Sequence, residues 1–294
     1  MHGVIHRQII MNTKEERNMK RTLIAIGALV GAVAWLAVSP IGAQEGGAGA
    51  GYKEAPVADG GTVTGKITFK GTPPPPKTFD LAKFPQPDFC GKVDSEGGKR
   101  MLREVTVTNG ALADVVVYIE DVTQGKPFKL DATEVKSDTC RFLAQQGSSF
   151  VGVVKNKGQI LVENMDADPS DPKSASGVLH NPHGYEVKGA TNTTMFNKPL
   201  PNKGQVLKET VKLRKKDSFM KLECDQHNFM NAYFIGVENP YYAVVGKEGT
   251  FTIDQIPPGT YEITAWHPIL GEVEQKVTVA AKGKATVDFA FAGK

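Results

Sequence analysis

The residues with the clearest chemical potential lie in the stretch E-C-D-Q-H-N-F-M, residues 223–230. Cys224, His227 and Met230 follow one another at intervals of three, so a tight loop after a strand can direct a thiolate, an imidazole and a thioether toward one point. Soft sulfur donors suit Cu(I), imidazole suits both copper oxidation states, and a weak axial Met is typical of electron-transfer copper sites. The spacing therefore predicts a copper site that needs one more ligand.

A second imidazole is available in V-L-H-N-P-H-G-Y, where His180 and His183 precede Cys224 by 44 and 41 residues. Pro182 stands between the two histidines and restricts the backbone of the residue before it, which favours His183 as the ligand. From the residues alone, either histidine can complete the set.

This part of the chain resembles the cupredoxins. H-N-P-H is similar to the H-N-x-H phrase of plastocyanin-type and amicyanin-type proteins, and C-D-Q-H-N-F-M has the contracted ligand-loop spacing of amicyanin. G-Q-I-L-V-E-N, residues 158–164, is similar to the strand that leads to the first histidine loop in such proteins. The resemblance implies one type 1 copper ion with four ligands, namely His180, Cys224, His227 and Met230, with His183 as the alternative to His180. It also implies that Asn181 ties the two ligand loops together by hydrogen bonds.

Other interpretations of the same residues stay open. Cys224 is also compatible with a buried free thiol, with a zinc ligand beside His227, and with a nucleophile that uses His227 as its base. Asp166, Asp168 and Asp171 form an acidic stretch that lacks the glycine and distal Glu of a calcium loop, so we expect a solvated loop there. His267, at the end of a predicted strand, is expected to be structural.

Three cysteines are an odd number for an exported chain. Cys90 and Cys140 both lie in loop-like stretches and are predicted to form a disulfide, which leaves Cys224 free for the site. Export is predicted from Met19-Lys20-Arg21, the apolar run 23–38 and the small residues that follow. We expect residues 1–44 to be a signal peptide with a misassigned upstream start, and the protein to be periplasmic or extracellular, membrane-anchored only if this segment stays uncleaved.

Charge gives no argument for binding to nucleic acid. The first 43 residues hold five basic and two acidic residues of the 35 and 32 in the chain, so 30 of each remain in the exported part. A net charge near zero lacks the basic excess that a polyanion would attract.

Short alternating strands and the lack of amphipathic helical stretches predict an all-β protein built from β-sandwiches. Within residues 246–267, the phrase G-T-F-T-I-D-Q-I-P-P-G-T-Y-E-I-T-A-W resembles the carboxypeptidase regulatory-like, transthyretin-related sandwich. The two resemblances together imply a Greek-key cupredoxin-like sandwich and a second, carboxypeptidase regulatory-like sandwich. The predicted parts are a flexible leader at 45–60, a first sandwich portion at 61–135, a copper domain at 136–239, and a sandwich end at 240–294 that packs with 61–135.

Together these features predict an exported blue copper electron carrier that is not an enzyme. We expect c-type cytochromes or a dehydrogenase as partners, docking where the ligand loop and Phe229 expose the copper edge. Two alternatives belong to other classes: a non-redox scaffold or adhesive sandwich with a structural metal, and a copper delivery or storage protein.

Overall fold

The computed structural model describes residues 51–171, 173 and 175–293. The predicted signal peptide and the start of the predicted leader lie outside the described residues. Within the described part, the chain forms 26 strands, a 3₁₀ helix at Leu81–Lys83 and one α-helix, α1, at Pro87–Cys90. The predicted all-β fold class is therefore confirmed. Neither helix in this part of the chain has the length and apolar character needed to cross a membrane.

The strands are numbered in chain order. The first thirteen are β1 Lys53–Glu54, β2 Gly61–Lys70, β3 Lys77–Asp80, β4 Ser95–Glu96, β5 Lys99–Leu102, β6 Val107–Thr108, β7 Ala111–Leu112, β8 Val115–Ile119, β9 Gln124–Gly125, β10 Ala132–Ser137, β11 Phe142–Ala144, β12 Val151–Val154 and β13 Gln159–Asn164. The remaining thirteen are β14 Ser176–His180, β15 Pro182–Lys188, β16 Thr191–Asn197, β17 Leu200–Asn202, β18 Val206–Thr210, β19 Phe219–Cys224, β20 Asn231–Gly236, β21 Tyr242–Val245, β22 Thr250–Ile256, β23 Gly259–His267, β24 Gly271–Val279, β25 Lys284–Thr286 and β26 Phe289–Ala292.

Two sheets share the core that carries the ligand residues. One sheet has the order β12-β20-β19-β15-β16 and the other has the order β11-β10-β13-β18. Side chains such as Ile160 and Val162 from β13 and Met220 and Leu222 from β19 meet in one buried cluster. Because successive side chains of a strand point to opposite faces, this alternation sends every second residue of β13 and β19 into the same core.

A second pair of sheets joins the two ends of the described chain. Strand β2 pairs with β22, β25 and β26, and the facing sheet has the order β21-β8-β23-β24. Val63, Ile67 and Phe69 of β2 are buried in the core between them. Gly65 breaks this apolar series because a Cβ there would lie 1.7 Å from the carbonyl oxygen of Val287. The glycine therefore permits the close approach of the C-terminal strands.

Strand β8 lies between two buried clusters, since all five of its residues are buried. Val115, Val117 and Ile119 face the core around β2, whereas Val116 and Tyr118 face a third cluster with residues of β12 and β20. A strand covered on both faces has no solvent side, which explains its continuous apolar sequence without alternation.

Residues 77–102 form a small three-stranded sheet, β3-β5-β4, together with the two short helices. The sequence of residues 77–102 carries no clear strand or helix pattern, so these elements were not predicted. Phe79 and Phe84 pack against Phe229, with ring centroids 5.9 and 5.1 Å away. This segment is called the cap below. It therefore covers the stretch from Cys224, at the end of β19, to Met230, which carries three of the predicted ligands.

Asn164, the last residue of β13, connects that strand to the two-stranded sheet of β14 and β17. Its Nδ2 donates to the carbonyl oxygens of Val178 and Leu200, each at 2.9 Å, and its Oδ1 accepts from the amide of Asp166 at 3.0 Å. We expect Asn164→Ala to lower the free energy of unfolding by about 2 kcal/mol, because it leaves buried polar groups unpaired. Urea denaturation provides the measurement.

Asn202→Ala is the control for this substitution, since Asn202 is exposed. Surface changes away from special features usually alter stability by less than about 0.5 kcal/mol. Equal losses for the two variants would contradict the proposed connecting role of Asn164.

Candidate metal centre

The ends of two strands position the candidate ligands. Along β19, Met220, Leu222 and Cys224 alternate with partly exposed residues, so Cys224 ends the buried face of that strand. Along β14, Val178 and His180 are the buried positions. The period of two therefore directs both the thiol and the imidazole into the same core.

The loop from Cys224 to Met230 closes on itself by backbone hydrogen bonds. The His227 amide donates to the Cys224 carbonyl at 3.1 Å, and the Met230 amide donates to the His227 carbonyl at 2.8 Å. The Cys224 amide in turn donates to the Met230 carbonyl at 3.2 Å. These bonds, spaced by three and six residues, give the C-x2-H-x2-M spacing its structural basis.

Three donor atoms converge at the end of this core. The Sγ of Cys224 lies 3.9 Å from Nδ1 of His180 and 3.9 Å from Nδ1 of His227. These residues form a group in which one ligand atom from each lies within 4.8 Å of the others. All three side chains are 0 % exposed, and Met230 is 1 % exposed in the same cluster.

Both imidazoles have their outer nitrogens bonded to protein acceptors. His227 Nε2 lies 3.1 Å from the Pro85 carbonyl oxygen, and His180 Nε2 lies 2.8 Å from Asp166 Oδ2. A carbonyl can only accept, so Nε2 of His227 must carry a proton. When neutral, the ring then presents the lone pair of Nδ1 toward Cys224, which is the form that binds metals.

The local charges favour a thiolate at Cys224. Burial raises the pKa of this thiol, but hydrogen bonds that the rings of His180 and His227 donate through Nδ1–H when they carry both protons outweigh burial and lower the pKa to about 6. Burial lowers the pKa of His180, whereas its bonds to Asp166 and Cys224 have the larger combined effect and raise the pKa to about 8. Because the thiolate is the metal-binding form of cysteine, the protein favours the reactive state of this donor.

Asn181 connects the two ligand segments. Its amide donates to Cys224 Sγ at 3.3 Å, its carbonyl accepts from the Asp225 amide at 3.1 Å, and its Nδ2 donates to Asp225 Oδ2 at 3.3 Å. These contacts orient the sulfur and hold the segment after His180 against the loop after Cys224.

His183 lies outside the donor group. Its Nδ1 is 3.0 Å from Asp225 Oδ1 and its Nε2 is 2.9 Å from Thr194 Oγ1, and its ring stacks on Tyr185 with centroids 3.9 Å apart. The structure thus brings His180, and not His183, together with Cys224 and His227.

Cys90 and Cys140 are joined by a disulfide that connects the cap to the core. Arg100, 3 % exposed, donates through Nη1 to the Cys90 carbonyl at 2.6 Å and through Nη2 to the Cys140 carbonyl at 3.1 Å. Its guanidinium also lies 5.2 Å from the centroid of Phe229. The disulfide and Arg100 therefore hold the cap over the loop from Cys224 to Met230.

Two expectations about exposure are wrong. Asp166 is not part of a solvated loop, because it is 2 % exposed and bonds to His180. Phe229, expected at an exposed copper edge, is 3 % exposed beneath Phe79 and Phe84. Nothing in the sequence of the acidic stretch distinguishes Asp166 from Asp168, and the cap was not foreseen.

His267 has a structural environment away from the donor group. Its Nδ1 accepts from the amides of Ile269 and Leu270 at 3.2 and 3.3 Å, so the imidazole caps the turn between β23 and β24. Burial lowers the pKa of this side chain to about 4.

The family model of polysaccharide lyase family 4, domain II, matches residues 225–287 of the chain. The matched family is a fibronectin type III-like β-sandwich. The match covers about a fifth of the chain and runs from the residue after Cys224 to the last strands. Among curated proteins, none matches the sequence significantly.

This match corrects the family resemblances drawn from the sequence, both to the cupredoxins and to the carboxypeptidase regulatory-like sandwich. It also corrects the interpretation of the chain as a blue copper electron carrier. The physical reason is that a short loop at a strand end can gather Cys, His and Met donors in any β-sandwich. Their spacing therefore indicates a donor cluster and does not by itself specify a family.

Proposed function

We propose that this chain is an exported, non-redox scaffold protein built from β-sandwiches, in which a metal ion bound by His180, Cys224, His227 and Met230 fixes the loops of one sandwich. The observation that carries this proposal is the complete burial of the donors, together with the hydrogen bonds at both outer imidazole nitrogens. A site enclosed in this way suits an ion that stays in place.

The donor set suits copper, in particular Cu(I). A thiolate and a thioether are soft ligands, and imidazole accompanies them in sites for Cu and Zn. When bound, the ion would connect the end of β14 to the loop after β19 and so add a cross-link to the folded state. The chain's own residues supply the rest, since Asn181 orients the sulfur and Pro85 and Asp166 orient the imidazoles.

Burial also separates this proposal from copper delivery or storage. A delivery protein needs ligands that a receiving protein can reach, whereas the cap covers these donors with Phe79, Phe84 and the Pro85 carbonyl. The redox partners expected from the sequence depended on the corrected function and form no part of this proposal. We also propose that the chain catalyses no reaction of its own.

Export is supported by the disulfide and by the signal peptide expected from the sequence. Disulfides form and persist in the periplasm and outside the cell, and are rare in the cytosol. The similarity to polysaccharide lyase family 4, domain II supports a sandwich architecture for the scaffold.

We expect metal binding to stabilise the protein by a measurable amount. Copper(I), supplied anaerobically so that the free ion is at about 100 times its dissociation constant, should raise the free energy of unfolding by about 2.7 kcal/mol. Cys224→Ser should abolish most of this increase, because it removes the thiolate. Thermal and urea denaturation with and without copper provide the measurement.

His183→Gln is the matched control, since it removes the other nearby imidazole and leaves the donor group intact. This variant should keep the full stabilisation. A wild-type protein whose stability does not respond to copper, zinc or any chelator would contradict a structural metal. Reversible electron exchange with a redox protein would contradict the non-redox assignment.

A further inference from the structure

Asp166 lies at the centre of a buried network behind the candidate metal site. Its Oδ2 is 2.8 Å from Nε2 of His180 and accepts from the amide of Cys140 at 3.0 Å. Its Oδ1 accepts from the amide of Thr139 at 2.5 Å. One carboxylate thus joins a candidate ligand to the loop that carries the disulfide.

The backbone of that loop is strained in a way that serves these bonds. Thr139 and Cys140 have φ angles of +50° and +53°, in the left-handed region. This region is unfavourable for residues with a Cβ, and especially for a β-branched one. Two such residues in sequence direct consecutive N–H groups at one carboxylate, an arrangement that binds anions. Strain of this kind persists where the surrounding structure requires it, and it is concentrated at functional sites.

We propose that Asp166 is a positioning residue of the metal centre, which holds the proton of His180 on Nε2 and so leaves Nδ1 free to face Cys224. The Thr139–Cys140 turn holds the carboxylate in place, and the disulfide connects that turn to the cap. The importance for metal binding rests on the proposed function, whereas the effect on the His180 ring stands on its geometry alone.

An amide cannot replace this carboxylate. Asp166 accepts hydrogen bonds at both oxygens, from the turn on one side and from His180 on the other. In Asp166→Asn, either His180 or Thr139 faces an NH2 group instead of an acceptor. If His180 loses its acceptor, its proton is free to move to Nδ1, where it blocks the donor position beside Cys224.

The test compares the wild-type chain with Asp166→Asn and with Asp168→Asn. Asp168 is a matched control from the same D-A-D sequence, whose carboxylate bonds to Ser170 in a nearby turn. Nitrogen-15 NMR of the histidine rings in metal-free protein, followed over a pH series until the His180 ring is neutral, shows which nitrogen carries the proton. Titration with copper(I) then gives the dissociation constant of each protein.

We expect Nε2–H at His180 in the wild type and in Asp168→Asn, and loss of that form in Asp166→Asn. We also expect Asp166→Asn to raise the copper dissociation constant by about 10- to 100-fold, as for other partners of metal-binding histidines. A purely structural carboxylate would lower stability without changing the protonated nitrogen.

Wild-type protein with its His180 proton on Nδ1 would overturn the inference, whether or not Asp166→Asn folds. An unchanged proton position and an unchanged dissociation constant in Asp166→Asn would also overturn it. A wild-type protein that binds no metal would instead overturn the proposed function, and the NMR result would still decide the role of Asp166.

Discussion

Replacing Arg100 with Met should lower the free energy of unfolding by about 4 kcal/mol, because hydrogen bonds from a buried charged group contribute about 1.5–3 kcal/mol each. Arg100 donates to the carbonyl oxygens of Cys90, Val93 and Cys140, and it stacks over Phe229. Met can fill part of the space but donates none of these bonds. Urea denaturation of the two oxidised proteins provides the comparison.

Arg103→Met is the control, because Arg103 is exposed and lies three residues further along the chain. This variant should remain within about 0.5 kcal/mol of the wild type. A loss below about 1 kcal/mol in Arg100→Met would show that the cap is held without the guanidinium. In that case the disulfide and the aromatic contacts of Phe229 would be sufficient.

Acid should destabilise the protein through His267. Burial lowers the pKa of His267 to about 4 in the folded state from 6.5, so the unfolded state takes up this proton first as the pH falls. The contribution of neutral His267 to the free energy of unfolding is therefore fully present above pH 6.5. It declines between pH 6.5 and about 4, and it is completely lost below that. At about 1.36 kcal/mol per unit of pKa, the loss amounts to about 3 kcal/mol.

His267→Asn isolates this effect from the other acidic groups. The Oδ1 of Asn can accept the amides of Ile269 and Leu270 in place of Nδ1, but Asn does not titrate. We expect the difference in unfolding free energy between the two proteins to change by about 3 kcal/mol from pH 7 to pH 4. Parallel stability curves across this range would refute the assignment to His267.

Burial of the donor group distinguishes this site from one that must meet a partner. The outer nitrogens of both imidazoles point to Pro85 and Asp166 rather than to solvent. A docking surface at the loop from Cys224 to Met230 would require the cap to move, with its disulfide and its Arg100 contacts. This enclosure agrees with a structural ion and explains why the exposed edge expected at Phe229 does not exist.

The sequence by itself determined the all-β class, and it indicated that Cys224 and His227 lie side by side in one short loop. Both depend on local physics, since a period of two defines half-buried strands and a closed stretch of seven residues brings its own side chains together. The apolar run of β8 is compatible with a strand, but only the packing shows that both of its faces are buried. The β-structure of the cap was missed because its strands are only two to four residues long and carry no clear alternation.

Only the tertiary structure decided which groups surround the donors. The sequence leaves both His180 and His183 open as ligands, yet β14 directs His180 inward while His183 bonds to Asp225. Pro85 meets His227 across 142 residues, and Asp166 meets the Cys140 amide across 26. Such contacts depend on how distant strands pack, which no local pattern encodes. Local periodicity therefore specifies the elements, and long-range packing specifies the hydrogen-bond partners that turn a cluster of donors into a site.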